Sequence, residues 1–202
     1  IVRGPAVIED LVPIVAPIGE GRRPGLLVVK SAPRQGSSIL VLGWRETGLE
    51  LLAEGPAFGV SNRWVHVVGA ADVSGDGIPE LIAVNTPHLA GVLVAYERRA
   101  ASLIPLAKAL GYSSHAIGSR NQDQAVIADM NGNGRLEVIL PRQSRDVLAA
   151  LELSNGRWEE RWALQLAGPV QSNLVVEDLD GDGLLDLAVA DRRALHVFLS
   201  VR

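Results

Sequence analysis

The sequence contains no cysteine, and aromatic residues make up only 4% of it. The missing thiols exclude disulfides, zinc–thiolate sites and thiol catalysis together, while leaving the cellular compartment open. No apolar run approaches the roughly 18 residues that a membrane-spanning helix needs. Cationic excess is also absent. The formal net charge is −4, which favours neither nucleic acid nor an anionic membrane surface. The chain opens on Ile1 without a signal-peptide pattern and reads as a processed or excised segment. What is abundant is aliphatic: 48% of residues are hydrophobic, mostly Val, Leu, Ile and Ala. Glycine (21) and proline (11) are spread throughout, as expected of many short strands joined by turns. At 202 residues the chain is long enough for one domain with a substantial core or a few repeat units.

Internal repetition decides the architecture. Three segments align without gaps, starting at Asp72, Asp129 and Asp178, in the pattern D-x-[SND]-G-[DN]-G-x-x-[DE]. Each is followed by an apolar run: Leu81–Val84, Val138–Leu140 and Leu187–Ala190. A degenerate fourth copy opens the chain near Asp10, where Val7-Ile8-Glu9-Asp10-Leu11 resembles Val175–Leu179. There a longer proline-rich loop places Val12 and Ile14 where the other copies carry ligand-type residues. By subtraction the four starts lie 62, 57 and 49 residues apart, a length that suits propeller blades or a β-solenoid better than helical repeats.

Strand signals recur in a fixed order within a unit. In the Asp129 unit they are Gln124–Ala128, Leu136–Leu140, Val147–Leu153 and, after an Asn155-Gly156 hairpin turn, Trp158–Leu166. The expected fold is therefore all-β: a β-propeller of about four blades, each of roughly four antiparallel strands, filling residues 1–202 as one domain or propeller segment. Only Ala100–Leu110 looks helical, and Pro105 inside it counts against a helix.

The acidic loops have the chemistry of a calcium site. Calcium takes six to eight oxygens at about 2.3–2.6 Å. Side chains at positions 1, 3 and 5 alternate with residues pointing elsewhere, so a tight loop aims all three at one centre. Glycines at positions 4 and 6 allow the backbone to turn there. Position 7 offers a carbonyl (Ile78, Arg135, Leu184) and the acid at position 9 closes the cage. Oxygen-only donors disfavour zinc and copper. An EF-hand is excluded, because position 12 is Ala83, Leu140 or Val189 rather than Glu. The third loop offers four carboxylates (Asp178, Asp180, Asp182, Asp186) and the first three (Asp72, Asp76, Glu80, with Ser74 between). The second offers only Asp129 and Glu137, with neutral oxygens on Asn131 and Asn133. Affinity is expected to fall in that order. Tight Asx-Gly turns without a metal use the same letters; repetition in register favours the metal.

These loops, with Phe58-Gly59-Val60-Ser61 ahead of Asp72–Glu80 and Asn85-Thr86-Pro87 behind, resemble the FG-GAP/VCBS repeat family of calcium-binding propellers. The family's terminal Gly-Ala-Pro is replaced here by Asn-Thr-Pro, and the Asp129 and Asp178 units lack Phe-Gly. The resemblance implies calcium ligands at Asp72, Ser74, Asp76, Glu80, Asp129, Asn131, Asn133, Glu137, Asp178, Asp180, Asp182 and Asp186. It also implies an extracellular, periplasmic or cell-surface setting. Family propellers usually have seven or eight blades, so the chain is part of a larger ring, a small closed ring, or one half completed by a second copy. The last unit reads as ending after its third strand, near Val201.

No catalytic constellation assembles. The four histidines, His66, His88, His115 and His196, are not at metal spacing, and Ser113-Ser114-His115 lacks a nucleophile elbow. Trp158, Glu160 and Trp162 alternate and are expected on one face of a strand, either as blade-to-blade packing or as a sugar platform beside a carboxylate. Trp44 and Trp64 read as packing residues. Adjacent Glu159 and Glu160 point to opposite faces and make a poor acid/base pair. The expected function is a non-enzymatic, calcium-binding module that binds a protein or glycan partner, with calcium structural. The alternative is the propeller part of a carbohydrate-active enzyme such as a polysaccharide lyase, with Tyr112 or His115 as base.

Overall fold

The computed structural model describes residues 5–9, 12–19, 21, 23–60 and 63–201, and these form sixteen strands and no α-helix. Asp10 and Ser61 lie outside the described residues. The strands are organised as four consecutive antiparallel meanders. The first comprises β1 (Val7–Ile8), β2 (Ile14–Ala16), β3 (Gly25–Ala32), β4 (Gly36–Arg45) and β5 (Gly48–Glu54). The second is β6 (Val65–Ala71), β7 (Glu80–Asn85), β8 (Val92–Arg99) and β9 (Ser102–Leu110). The third is β10 (Val126–Ala128), β11 (Glu137–Pro141), β12 (Val147–Ser154) and β13 (Arg157–Gln165). The fourth has three strands, β14 (Val175–Glu177), β15 (Asp186–Ala190) and β16 (Leu195–Phe198). A single parallel pair, Glu54 with Ser102, joins the first two meanders into one nine-stranded sheet.

The apolar runs of the central strands are buried on both faces, and their alternation divides them between two cores. Leu81 and Ala83 of β7 enter the core shared with the first meander, while Ile82 and Val84 enter the core shared with the third. In β11 and β12 the split repeats: Val138, Leu140, Ala149 and Leu151 face the second meander, and Ile139, Leu148 and Ala150 face the fourth. Sheets stacked face to face through shared aliphatic cores are the propeller-like arrangement. They also explain how a chain so poor in aromatic residues fills its interior.

Residues 102–110 are strand, in keeping with the all-β reading, and two other sequence expectations are corrected. Pro105 is tolerated because β9 is the outer strand of its meander, where a missing N–H breaks no inner ladder. In the degenerate first unit, the expected long loop is strand at Ile14–Ala16. This strand continues along β3 after β1, with Val7 opposite Ser31 and Ile14 opposite Leu27. Trp158 and Trp162 do not share a face. The register shifts between Ala150 and Leu151, so that Glu160 lies opposite Leu151 and Trp162 opposite Ala150, with Arg161 bulged out. Trp158 accordingly packs toward the second meander and Trp162 toward the fourth.

That bulge belongs to a pattern. In each of the first three meanders one residue is skipped at the fifth position of the outermost strand: Leu52, Leu106 and Arg161. The hairpin before the last of these is Asn155-Gly156, with φ of 51° and 72° as a two-residue turn of this kind requires.

Candidate metal centres

All three acidic loops connect the first and second strands of a meander, so they lie at one end of the stacked sheets. Their internal hydrogen bonding is nearly superimposable. The position-1 aspartate caps the turn through both oxygens. Asp72 accepts from Gly75 N (2.8 Å) and Gly77 N (2.7 Å), and Asp178 from Gly181 N (2.7 Å) and Gly183 N (3.0 Å). Asp129 accepts from Asn133 N (3.1 Å) and Gly134 N (2.7 Å). The glycines at positions 4 and 6 all have positive φ, from 67° to 87°, where a side chain is strained. Position 5 in turn accepts from position 7: Asp76 from Ile78 N, Asn133 from Arg135 N, and Asp182 from Leu184 N.

The position-9 acid opens the second strand and is buried in every copy: Glu80 is 2% exposed, and Glu137 and Asp186 are 0% exposed. Each reaches back to the loop backbone. Glu80 accepts from Val73 N (3.0 Å) and Ser74 N (3.2 Å), Glu137 from Met130 N (2.9 Å), and Asp186 from Leu179 N (2.8 Å) and Ser200 N (2.9 Å). Burial pushes the Glu80 and Glu137 carboxyls above the usual range despite those hydrogen bonds. Among the described residues no lysine or arginine forms an ion pair with Glu80 or Asp186. A buried carboxylate without a cationic partner is costly; the loop N–H groups offset part of that cost, and a bound cation would offset more.

Donor geometry fits such an ion in two of the three loops. Oxygens of Asp72, Asp76 and Glu80 lie within 4.8 Å of one another, as do those of Asp178, Asp180 and Asp186. Oxygens around one ion at about 2.3–2.6 Å are separated by at most about twice that distance, so both triads fit calcium. Two expected ligands stand differently. Asp182 is outside the third triad, and Ser74 Oγ donates to Glu80 Oε1 at 2.8 Å. In the second loop the side-chain amide of Asn131 donates to Glu137 Oε1, supplying the positive end that a cation would otherwise supply. Asp129 and Glu137 therefore do not belong to a carboxylate triad.

The opposite end brings together residues that sequence spacing did not relate. His66 is the second residue of β6, His88 lies between β7 and β8, and His115 lies between β9 and β10. Their rings stack edge to face, with centroids 5.0 Å apart for His66–His115 and 4.4 Å for His88–His115. Sequence spacing did not group the histidines as metal ligands, and the structure brings three of them together as ring contacts. No spacing rule would have found them, because only strand direction carries these three ends to one place. Ser114 Oγ and His115 Nδ1 are 3.2 Å apart, and Tyr112 donates to Glu160 instead of standing free as a base. Trp44 is 75% exposed rather than packed.

Residues 129–189, from the second acidic loop through the third, match the family model described as FG-GAP-like repeat. No curated protein matches the chain. Among solved structures the fold is shared with the exotype rhamnogalacturonan lyase YesX, at a TM-score of 0.58 and 16% identity over 90% of this chain and 38% of that one. It is shared equally with rhamnogalacturonan lyase YesW, at 0.58 and 16% over 92% of this chain and 41% of that one. The chain thus spans about two fifths of those structures. The architecture is all-β and propeller-like.

Proposed function

We propose that this chain is a calcium-stabilised β-propeller segment that presents its loops to a glycan or protein partner outside the cell, in the periplasm or at the cell surface. Calcium in this reading is structural. Held by Asp72, Asp76 and Glu80 in one loop and by Asp178, Asp180 and Asp186 in another, it neutralises buried carboxylates and fixes the turn into the second strand. The observation that carries the reading is the convergence of these two triads, each anchored by a buried acid without a cationic partner. The FG-GAP-like repeat at 129–189 supports both calcium and an extracellular setting. Both fold neighbours are named for action on a glycan, which favours a glycan over a protein as ligand. Further blades, from the rest of a longer chain or from a second copy, would complete the ring.

The decisive experiment is calorimetric titration of chelator-treated protein with calcium, with thermal melts alongside. Saturable binding and a raised melting temperature support the proposal. Absence of binding at millimolar calcium reduces the loops to ordinary turns.

A further inference from the structure

Two adjoining cavities, of about 650 and 590 Å3, lie at the end of the sheets opposite the acidic loops and share His88, His115 and Ser119. His88 and His115 stand in the wall between them and belong to a continuous row of rings along the first cavity. Trp64 meets His88 at 5.6 Å, His88 meets His115 at 4.4 Å, and His115 meets His66 at 5.0 Å, each edge to face. Burial lowers the His66 pKa to about 4 and that of His115 to about 3, and lowers that of His88 as well. The imidazoles are therefore neutral near pH 7, each with one donor and one acceptor nitrogen.

Hydrogen-bonding capacity is left unmet around these walls. Of the eight buried side-chain polar atoms without a partner among the described residues, five belong to residues lining the two cavities. They are His66 Nδ1, His88 Nδ1, Gln124 Oε1, Gln143 Oε1 and Arg145 Nη1. Gln124, only 1% exposed, is fixed through its amide nitrogen to Val170 O (3.4 Å), and Gln143 likewise to Pro87 O (3.0 Å); in both, the oxygen is the unmatched atom. Unpaired buried polar groups are rare in folded proteins and call for a cause when they cluster. The three histidines are not a preformed metal site. Among the described residues, donor atoms of three or more ligating side chains converge only in the acidic loops.

We propose that the two cavities form one binding site for a saccharide, with Trp64 and the histidine row as its wall and Gln124, Gln143 and Arg145 as its polar floor. Hydroxyl groups both donate and accept, so a polyhydroxylated ring suits walls that mix imidazoles, the Ser119 hydroxyl and the Arg120 and Arg192 guanidinium groups in a way a purely apolar or purely anionic ligand does not. The flat rings of Trp64, 37% exposed, and His88 offer a face for the sugar's C–H groups. Arg120 and Arg192 on the rim add cationic character to a chain that is acidic overall. This rests on the reading of the chain as a ligand-binding module and is independent of calcium at the other end.

The test is saturation-transfer NMR, followed by calorimetry, on the full chain with a panel of short neutral and uronic-acid-containing oligosaccharides. Binding of at least one panel member is expected. Trp64→Ala and Arg120→Ala should each weaken it, the first at least about tenfold, while leaving calcium titration and melting curves at wild-type values. No binding by any member at millimolar concentration would overturn the site. So would binding that both variants retain, or nickel or zinc binding that competes with the sugar. Calcium binding without sugar binding sinks this inference alone; sugar binding without calcium binding sinks only the structural-calcium reading.

Discussion

Tyr112 donates its phenolic hydrogen to Glu160 at 2.9 Å, tying the strand-leaving segment of the second meander to the outer strand of the third. Arg142 holds the other Glu160 oxygen at 2.6 Å. Burial first, and the Glu160 carboxylate second, push the Tyr112 hydroxyl up to about 12 from the usual 10. A raised pKa means that the contribution is complete below pH 10 and is lost as pH rises toward 12. Tyr112→Phe should lower stability by roughly 1.5–3 kcal/mol, the worth of a hydrogen bond to a charged group. The difference from wild type should shrink between pH 10 and 12, as chemical denaturation across that range would show.

Removal of one buried acid should delete one calcium site at a time. Glu80→Gln and Asp186→Asn are each expected to reduce calorimetric stoichiometry by one ion. Glu137→Gln should leave it unchanged, because Asn131 already occupies the compensating position. At calcium a hundredfold above the dissociation constant, a filled site adds about 2.7 kcal/mol. For a domain of this size that corresponds to a rise in Tm of roughly 5–10 °C. Equal stoichiometry in wild type and both site variants would refute the assignment.

Much of the architecture was legible because each meander repeats a period-2 aliphatic pattern between turn residues, and Val147–Ser154 and Arg157–Gln165 fall where alternation and Asn155-Gly156 place them. The acidic loops were legible for a different reason: the positive φ of positions 4 and 6 favours glycine, and positions 1, 3, 5 and 9 carry side-chain oxygens in every copy. Two kinds of information were not in the pattern. A one-residue bulge reverses side-chain parity without altering composition, so Trp158 and Trp162 counted as neighbours but face different cores. Helix-forming Ala, Leu and Lys in 102–110 were overridden by pairing with β8, which no local propensity encodes. The histidine row is likewise a product of topology, since its members come from a strand start and two separate connections.

The same histidines should make the fold acid-sensitive. Their folded pKa values, lowered by burial to about 4 for His66 and about 3 for His115, lie below the unfolded value near 6.5. The unfolded chain therefore binds more protons between pH 6.5 and these values, and the contribution present above pH 6.5 is lost as pH falls. Asp123 near His66 opposes the loss, while Arg145 near His88 and His115 adds to it. Melting temperature should fall from pH 7 to pH 4 in wild type and fall less in His115→Gln. Parallel curves for the two proteins would show that carboxylates alone account for the acid limb.

Two glycines with similar backbone angles should respond very differently to alanine. Gly91 has φ of 54°, and a Cβ there would stand 1.9 Å from the carbonyl oxygen of Tyr112, which is backbone and cannot turn away. The Gly91 carbonyl also accepts from Gly111 N and Tyr112 N, at 2.8 and 3.1 Å, so relief of the clash would break the tie between the second meander and the segment leading to His115. Gly156 has φ of 72° with nothing within 4 Å of its would-be Cβ. Gly156→Ala should cost only the left-handed backbone penalty, about 1 kcal/mol. Gly91→Ala should cost more than about 3 kcal/mol, beyond the range of an ordinary surface substitution. Urea denaturation of the two variants decides it. Equal losses would mean that the Gly91 turn yields without strain and that the segment carrying His115 is not held by it.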